Sequence, residues 1–301
     1  MRVTFYGARG SYPLSDANQR QFGGHTTCFH VECPEGEHII IDAGTGIRAL
    51  GKKLMQGEFG RGEGVAHMFF THTHWDHILG LPFFDPLFIR GNVFHLHTAK
   101  LPYANIQGIF NGLFNPDIFP VPFNELDSQI ELTEHKPPGM LRIGSATVSY
   151  MQINHNNVTL GFRVNAGSHS VTILSDNAII ELARMGDGFT RKYAADPEGF
   201  VAQYRQAQME FAMGTDILVC DTHFSKETIK GREHWGHSTP DEAIRLAHDC
   251  SPKYLILHHH DPELPDSEVI AKEQYVQEAL TGSAVTAMAP YPGLTIELGE
   301  N

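Results

Sequence analysis

The residues best suited to chemistry in this chain are THTHWDH, residues 71–77, directly after the apolar run MFF. His72 and His74 are two apart, so on an extended backbone they face the same side. The chain then turns, and Asp76 and His77 arrive as a second group beside the first. Imidazole and carboxylate ligands suit borderline divalent metals, and two such groups so close together suit two adjacent cations. A pair of that kind can bind a bridging water and lower its pKa toward neutrality, which is the chemistry of metal-assisted hydrolysis.

Such a site needs rigid elements that deliver side chains to one place. Short β-branched runs predict strands at 2–7, 27–33, 37–42, 66–71, 93–98, 146–154, 170–175, 216–221 and 253–258. Helical periodicity predicts helices at 46–56, 79–88, 198–213, 239–249 and 267–280. For the fourth, Thr239 with Glu242 reads as a capping box, with Pro240 at the first helical position. Mixed strands and helices throughout imply a layered α/β architecture. Five apolar runs end by delivering an Asp or His: Asp42, His72, His155, Asp176 and the triplet His258–His260. Strand ends on one edge of a sheet are where α/β proteins place their chemistry.

Composition narrows the partners. The 301 residues carry a formal charge of −13, which disfavours duplex DNA and long RNA. Histidine is abundant, at 19 residues, against four cysteines that form neither a zinc ribbon nor a disulfide framework. The N-terminus has no apolar signal segment and no run is long enough to span a membrane, so a cytoplasmic protein is expected. No repeat or linker divides the chain, so residues 1–301 are read as a single domain.

The HTHWDH run after a strand resembles the signature of the metallo-β-lactamase superfamily, and the resemblance extends over essentially the whole chain. It implies a four-layer αββα sandwich. It further implies a later histidine, a bridging aspartate and a C-terminal histidine. His155 in INHNNVTLGFR is similar to a stretch of RNase Z-like members, Asp176 in ILSDN matches the bridging aspartate, and His259 matches the last ligand. His258 and His260 remain alternatives for that last place. The resemblance thus implies one ion on His72, His74 and His155, the other on Asp76, His77 and His259, with Asp176 shared. Asp42 would be an acceptor supporting the metal histidines. Two divalent ions are implied, with zinc first and manganese or iron compatible.

DTHF at 221–224 followed by GHSTPDEAIRLA at 236–247 is similar to the acidic strand end and H-S-T helix start of the same branch. That similarity implies that Asp221 orients His237 and that His237 acts as general acid, while Asp76 orients the attacking hydroxide. GARGS at 7–11 and FGGHTTC at 22–28 resemble N-terminal turns of the branch. Arg9, Arg48 and Arg163 are candidate phosphate contacts. The segment 82–126, rich in Phe, Pro and Asn, reads either as a pocket wall or as core or dimer interface; His95 and His97 within it read as structural. His223 and His234 read as bystanders.

RNase Z enzymes carry a long arm between the third-motif histidine and the bridging aspartate, but His155 and Asp176 are only 21 residues apart. With the acidic charge, this disfavours tRNA. The leading expectation is therefore a phosphodiesterase for a small phosphodiester, such as a cyclic nucleotide or cyclic ribose phosphate. A homodimer is compatible with it. The alternatives are a thioester or lactone hydrolase of the same fold, and a metal-binding biosynthesis partner without turnover.

Overall fold

The structure, a computed structural model, describes residues 1–102, 104–178 and 195–299. The continuous apolar runs of the sequence become strands buried on both faces, which is what a sheet covered on both sides demands. In ILVCD at 217–221, Ile217 and Val219 face the space between two sheets, while Leu218 and Cys220 face helices.

Two seven-stranded sheets result. The first runs, in spatial order, β14 (Thr295–Glu297), β1 (Arg2–Gly7), β2 (Cys28–Glu32), β3 (His38–Ile41), β4 (Val65–Phe69), β5 (Val93–Ala99) and β6 (Gln129–His135). The second runs β13 (Thr286–Met288), β12 (Tyr254–His258), β11 (Ile217–Asp221), β10 (His169–Leu174), β9 (Thr159–Ala166), β8 (Ala146–Ile153) and β7 (Gly139–Ile143). Within each sheet, one half is antiparallel and the other parallel: β3–β6 in the first, β10–β13 in the second. The core between the sheets includes Phe5, Phe29, Phe69, Phe162 and Ile256.

Helices α1 (Ile47–Leu54) and α3 (Ile106–Leu113) pack Leu50 and Phe110 against the outer face of the first sheet. Helices α4 (Pro197–Ala212), α5 (Pro240–Cys250) and α6 (Asp266–Ala279) cover the second with Ala212, Leu246 and Val276. The short helix α2 is a single turn, Trp75–Ile78. Two sheets between helical layers are the αββα sandwich that the motifs imply. Among the described residues no helix is long and apolar enough to cross a membrane.

Some local expectations fail for identifiable reasons. The helix expected at 79–88 is instead two 3₁₀ turns, Leu81–Phe83 and Asp85–Phe88, because Pro82 and Pro86 withdraw the amides a longer helix needs. α5 starts at Pro240 without the expected capping box: Thr239 makes no side-chain cap bond, and Glu242 is engaged by Arg205 at 2.6 Å and Arg245 at 3.0 Å. The segment 82–126 contributes Phe84, Phe94, Phe110, Phe114 and Phe123 to the helix-side core.

Candidate metal centre

The parallel strands deliver their functional residues at one edge. Asp42 follows β3, His72 and His74 follow β4, Asp176 follows β10, and His259 follows β12; His155 arrives after β8. His72 Nε2 and His74 Nδ1 are 2.9 Å apart, and His155 Nε2 is 3.2 Å from His74 Nδ1. Asp176 Oδ2 closes this group at 3.8 Å from His72 and 3.7 Å from His155. In the adjacent group, His259 Nε2 is 3.1 Å from Asp76 Oδ2 and 3.1 Å from Asp176 Oδ2. His77 Nε2 is 3.3 Å from both Asp76 Oδ2 and Asp176 Oδ1. The donor atoms of His72, His74 and His155 lie within 4.8 Å of one another, as do those of Asp76, His77, Asp176 and His259. Asp176 is the residue common to both surroundings.

The protonation chemistry fits cations. Burial, then the neighbouring imidazoles, hold His72 well below its ordinary value, and burial brings His155 down to about 3, so both present lone pairs. Burial also lowers His74. Burial alone would raise Asp76 and Asp176, yet the surrounding histidines hold both well below the carboxylate range. For His77 the order is reversed: burial opposes its charge, but Asp176, Asp76 and Asp42 pull it well above its usual value. His77 Nδ1 donates to Asp42 Oδ2 at 2.8 Å, leaving buried Nε2 facing two carboxylates without a hydrogen bond. An unpaired imidazole nitrogen between two carboxylates is the environment that a divalent cation satisfies.

Supporting contacts orient these rings. Asp42 also accepts from the Thr71 amide at 2.7 Å and the Thr71 hydroxyl at 2.8 Å. His155 Nδ1 donates to the Gly236 carbonyl at 2.8 Å, which directs Nε2 inward. His237 Nδ1 donates to Asp221 Oδ2 at 2.8 Å, and Asp221 is also fixed by the amides of Asn177 and His223. His237 has a further geometry open to it, since its ring nitrogen lies within 4.8 Å of donor atoms of His155 and Asp176 and of His223 and His259.

The triplet separates clearly. His259 turns to the aspartates, His258 donates Nε2–H to the Gly7 carbonyl at 3.0 Å, and His260 sits 3.5 Å from the Lys272 amine. Two of the arginine candidates are structural. Arg9 is fully buried and spends its guanidinium on the carbonyls of Gly23, Asp261 and Leu264 and on Asp266. Arg163 binds the carbonyls of Phe211 and Met213 at the C-terminal end of α4. Arg48 is exposed and does not line the cavity at the centre.

Sequence reasoning missed three contributors. The Ser11 amide donates to Asp76 Oδ2 at 2.7 Å, a main-chain role that no side-chain motif announces. Gly10 is required by space, because a Cβ there would lie 2.3 Å from the His259 ring. His223, read as a bystander, is buried and stacks on His237 with centroids 4.4 Å apart, and its Nδ1 donates to the His259 carbonyl at 3.0 Å. Its DTHF setting beside Asp221 was the available signal. The whole arrangement opens on a cavity of about 490 Å³ lined by Ser11, Thr73, His74, Trp75, Asp76, Asp176, His237 and His259.

The sequence profile of the beta-lactamase superfamily domain matches residues 37–260. Ribonuclease Z of Haloarcula marismortui is 23% identical over 286 residues, covering 86% of each chain. Ribonuclease Z of a Bradyrhizobium strain is 24% identical, covering 91% of this chain and 94% of its own. Among solved structures, the short form of human tRNase Z superposes with a TM-score of 0.63 at 17% identity over 100% of both chains. Zinc-bound PqqB of Methylobacterium extorquens gives 0.67 at 14% identity over 99% of this chain and 100% of its own. A diphosphatase of the PhnP family gives 0.59 at 18% identity, over 99% of this chain and 98% of its own. These likenesses share the fold, and the profile fixes the family. The chain belongs to the metallo-β-lactamase superfamily, on its ribonuclease Z-like side, and is a metal-dependent hydrolase.

Proposed function

We propose that residues 1–301 form one phosphodiesterase domain that uses two zinc ions to hydrolyse a small phosphodiester, a cyclic nucleotide or a related cyclic phosphate. His72, His74 and His155 would hold one cation, Asp76, His77 and His259 the other, with Asp176 shared. The single observation that carries this reading is that His237, held from behind by Asp221, lines the same cavity as members of both donor groups. When bound, the cations supply Lewis acidity and a water acidic enough to attack phosphorus at neutral pH.

The chain's own residues supply the rest. Asp221 holds the His237 ring through Nδ1, so Nε2 is the atom that gives a proton to the leaving oxygen. Asp76 is clamped through Oδ2 by the Ser11 amide, which leaves Oδ1 to orient the attacking water. Gly236 keeps the His155 ring turned inward from behind.

Size and charge support a small substrate over tRNA. Between His155 and Asp176 the chain is taken up by β9, a turn at Gly167 and β10, which leaves no room for an arm. The formal charge of −13 opposes a polyanion.

The test is metal analysis combined with assays on bis(p-nitrophenyl) phosphate, cyclic nucleotides, and thioester and lactone probes. The expected result is two zinc ions per chain and turnover of phosphodiesters. Turnover of thioesters or lactones alone, or two ions without any turnover, overturns it.

A further inference from the structure

Trp75 is the first residue of α2, between His74 and Asp76, and the residue is 74% exposed. Its neighbours Phe70, Ile78 and Leu81 are all buried in the helix-side core. Among the described residues, no other ring packs against this indole. A large apolar side chain left in water forgoes the burial that normally stabilises it. Its place is also not a random stretch of surface, because Trp75 lines the cavity whose other walls are His74, Asp76, Asp176, His237 and His259. The backbone beneath it is firmly held: the Leu79 amide donates to the Trp75 carbonyl at 2.7 Å, and the His77 amide donates to that of His74 at 3.0 Å.

An exposed π-face carried on a hydrogen-bonded turn at the mouth of a polar cleft can serve as a stacking platform. Every nucleobase offers a matching face, so stacking recognises a base without reading its identity. Aliphatic sugar phosphates offer no such face. Resting on the phosphodiesterase reading above, we propose that Trp75 is a specificity-determining residue that stacks on the heteroaromatic ring of the substrate. The substrate class is then a nucleoside cyclic phosphate, with any of the bases, rather than a cyclic ribose phosphate that lacks one.

Two measurements test this. In the first, adenosine 2′,3′-cyclic phosphate and glycerol 1,2-cyclic phosphate are compared with the zinc-loaded protein and its Trp75→Ala and Trp75→Phe variants. Trp75→Ala is expected to lower kcat/KM for the nucleotide by about 10- to 100-fold, mainly through KM, with the base-free ester changed by less than about 2-fold. Trp75→Phe should recover most of the loss. Equal loss on both esters, or none on the nucleotide, overturns the proposal.

The second measurement does not depend on turnover. The chain has two tryptophans, so a Trp235→Phe background isolates Trp75 fluorescence. Adenosine monophosphate should quench that emission saturably, and ribose 5-phosphate should not. Absence of quenching by the nucleotide, or equal quenching by both, overturns the proposal. If neither cyclic ester is cleaved but the nucleotide still quenches, the phosphodiesterase reading has failed while the stacking site stands.

Discussion

Two regions of this protein are rich in histidine, and they use it in opposite ways. On the first sheet, His67 Nδ1 meets His97 Nε2 at 3.0 Å, and His97 Nδ1 meets His135 Nε2 at 3.0 Å. The series ends on the Tyr150 hydroxyl at 3.2 Å, while His67 stacks on His95 with centroids 4.4 Å apart. Each ring satisfies the next, and the nitrogens are strung along the sheet. At the strand ends, the nitrogens of His72, His74, His155, His77 and His259 converge instead on two buried carboxylates, Asp76 and Asp176. Histidine number therefore does not make the metal centre. Convergence and the buried negative charge do.

The largest expected effect breaks the convergent region at its shared member. Asp176→Ala should lower the metal content below two ions per chain and cut turnover by more than about 10³-fold, since a cation contributes several kcal/mol of transition-state stabilisation. Elemental analysis beside a phosphodiesterase assay measures both. His97→Ala, in the strung region, should leave both unchanged.

His237→Ala is expected to lower kcat by about 10²–10⁴-fold with metal content intact, the effect of losing a general acid. Equal loss of metal would instead make His237 a ligand, which its nearness to the donor groups of His155 and Asp176 permits. Gly10→Ala should push the His259 ring aside and weaken metal affinity by about 10–100-fold, read by competition with a chelating dye.

The smallest effect belongs to the strung region and to pH. Burial, with neighbouring imidazoles, lowers His97 to about 3, His67 to about 4 and, on β2, His30 to about 3. The unfolded imidazoles titrate near 6.5, so below that pH the unfolded chain binds more protons than the folded one. Stability is thus complete above about pH 6.5 and is lost as pH falls toward the folded values. At pH 5, buried His97 and His30 should each cost at most about 2 kcal/mol, seen as a lower urea midpoint. Replacing His97 with Gln should flatten that dependence.

Much of this architecture is legible in the sequence because it is local. THTHWDH carries its spacing within one strand end and one turn, and Asp42, Asp176 and His259 each close an apolar run. Legibility fails where partners are distant or belong to the main chain. The edge strand β6 carries many polar residues and the edge strand β7 is only five residues long and opens on a glycine, so their pairing, not their composition, defines them. Arg9 reads as a free cation until Asp266 and three carbonyls from other segments surround it. Glu242 reads as a capping residue until Arg205, 37 positions earlier, takes it. The amide of Ser11 has no sequence signature at all.

Asp42, Asp176 and His259 share one further property: each adopts a left-handed backbone, with φ of 62°, 55° and 57°. Ser11 does so too, at 64°, so four of the five such non-glycine residues among those described surround the centre. Each such conformation costs roughly 1–3 kcal/mol. The loops that aim these proposed ligands therefore oppose folding, and a cation that engaged them would tip the balance back. Metal occupancy and conformational stability would then be a single linked equilibrium. Chelation should make this hydrolase easier to unfold as well as inactive.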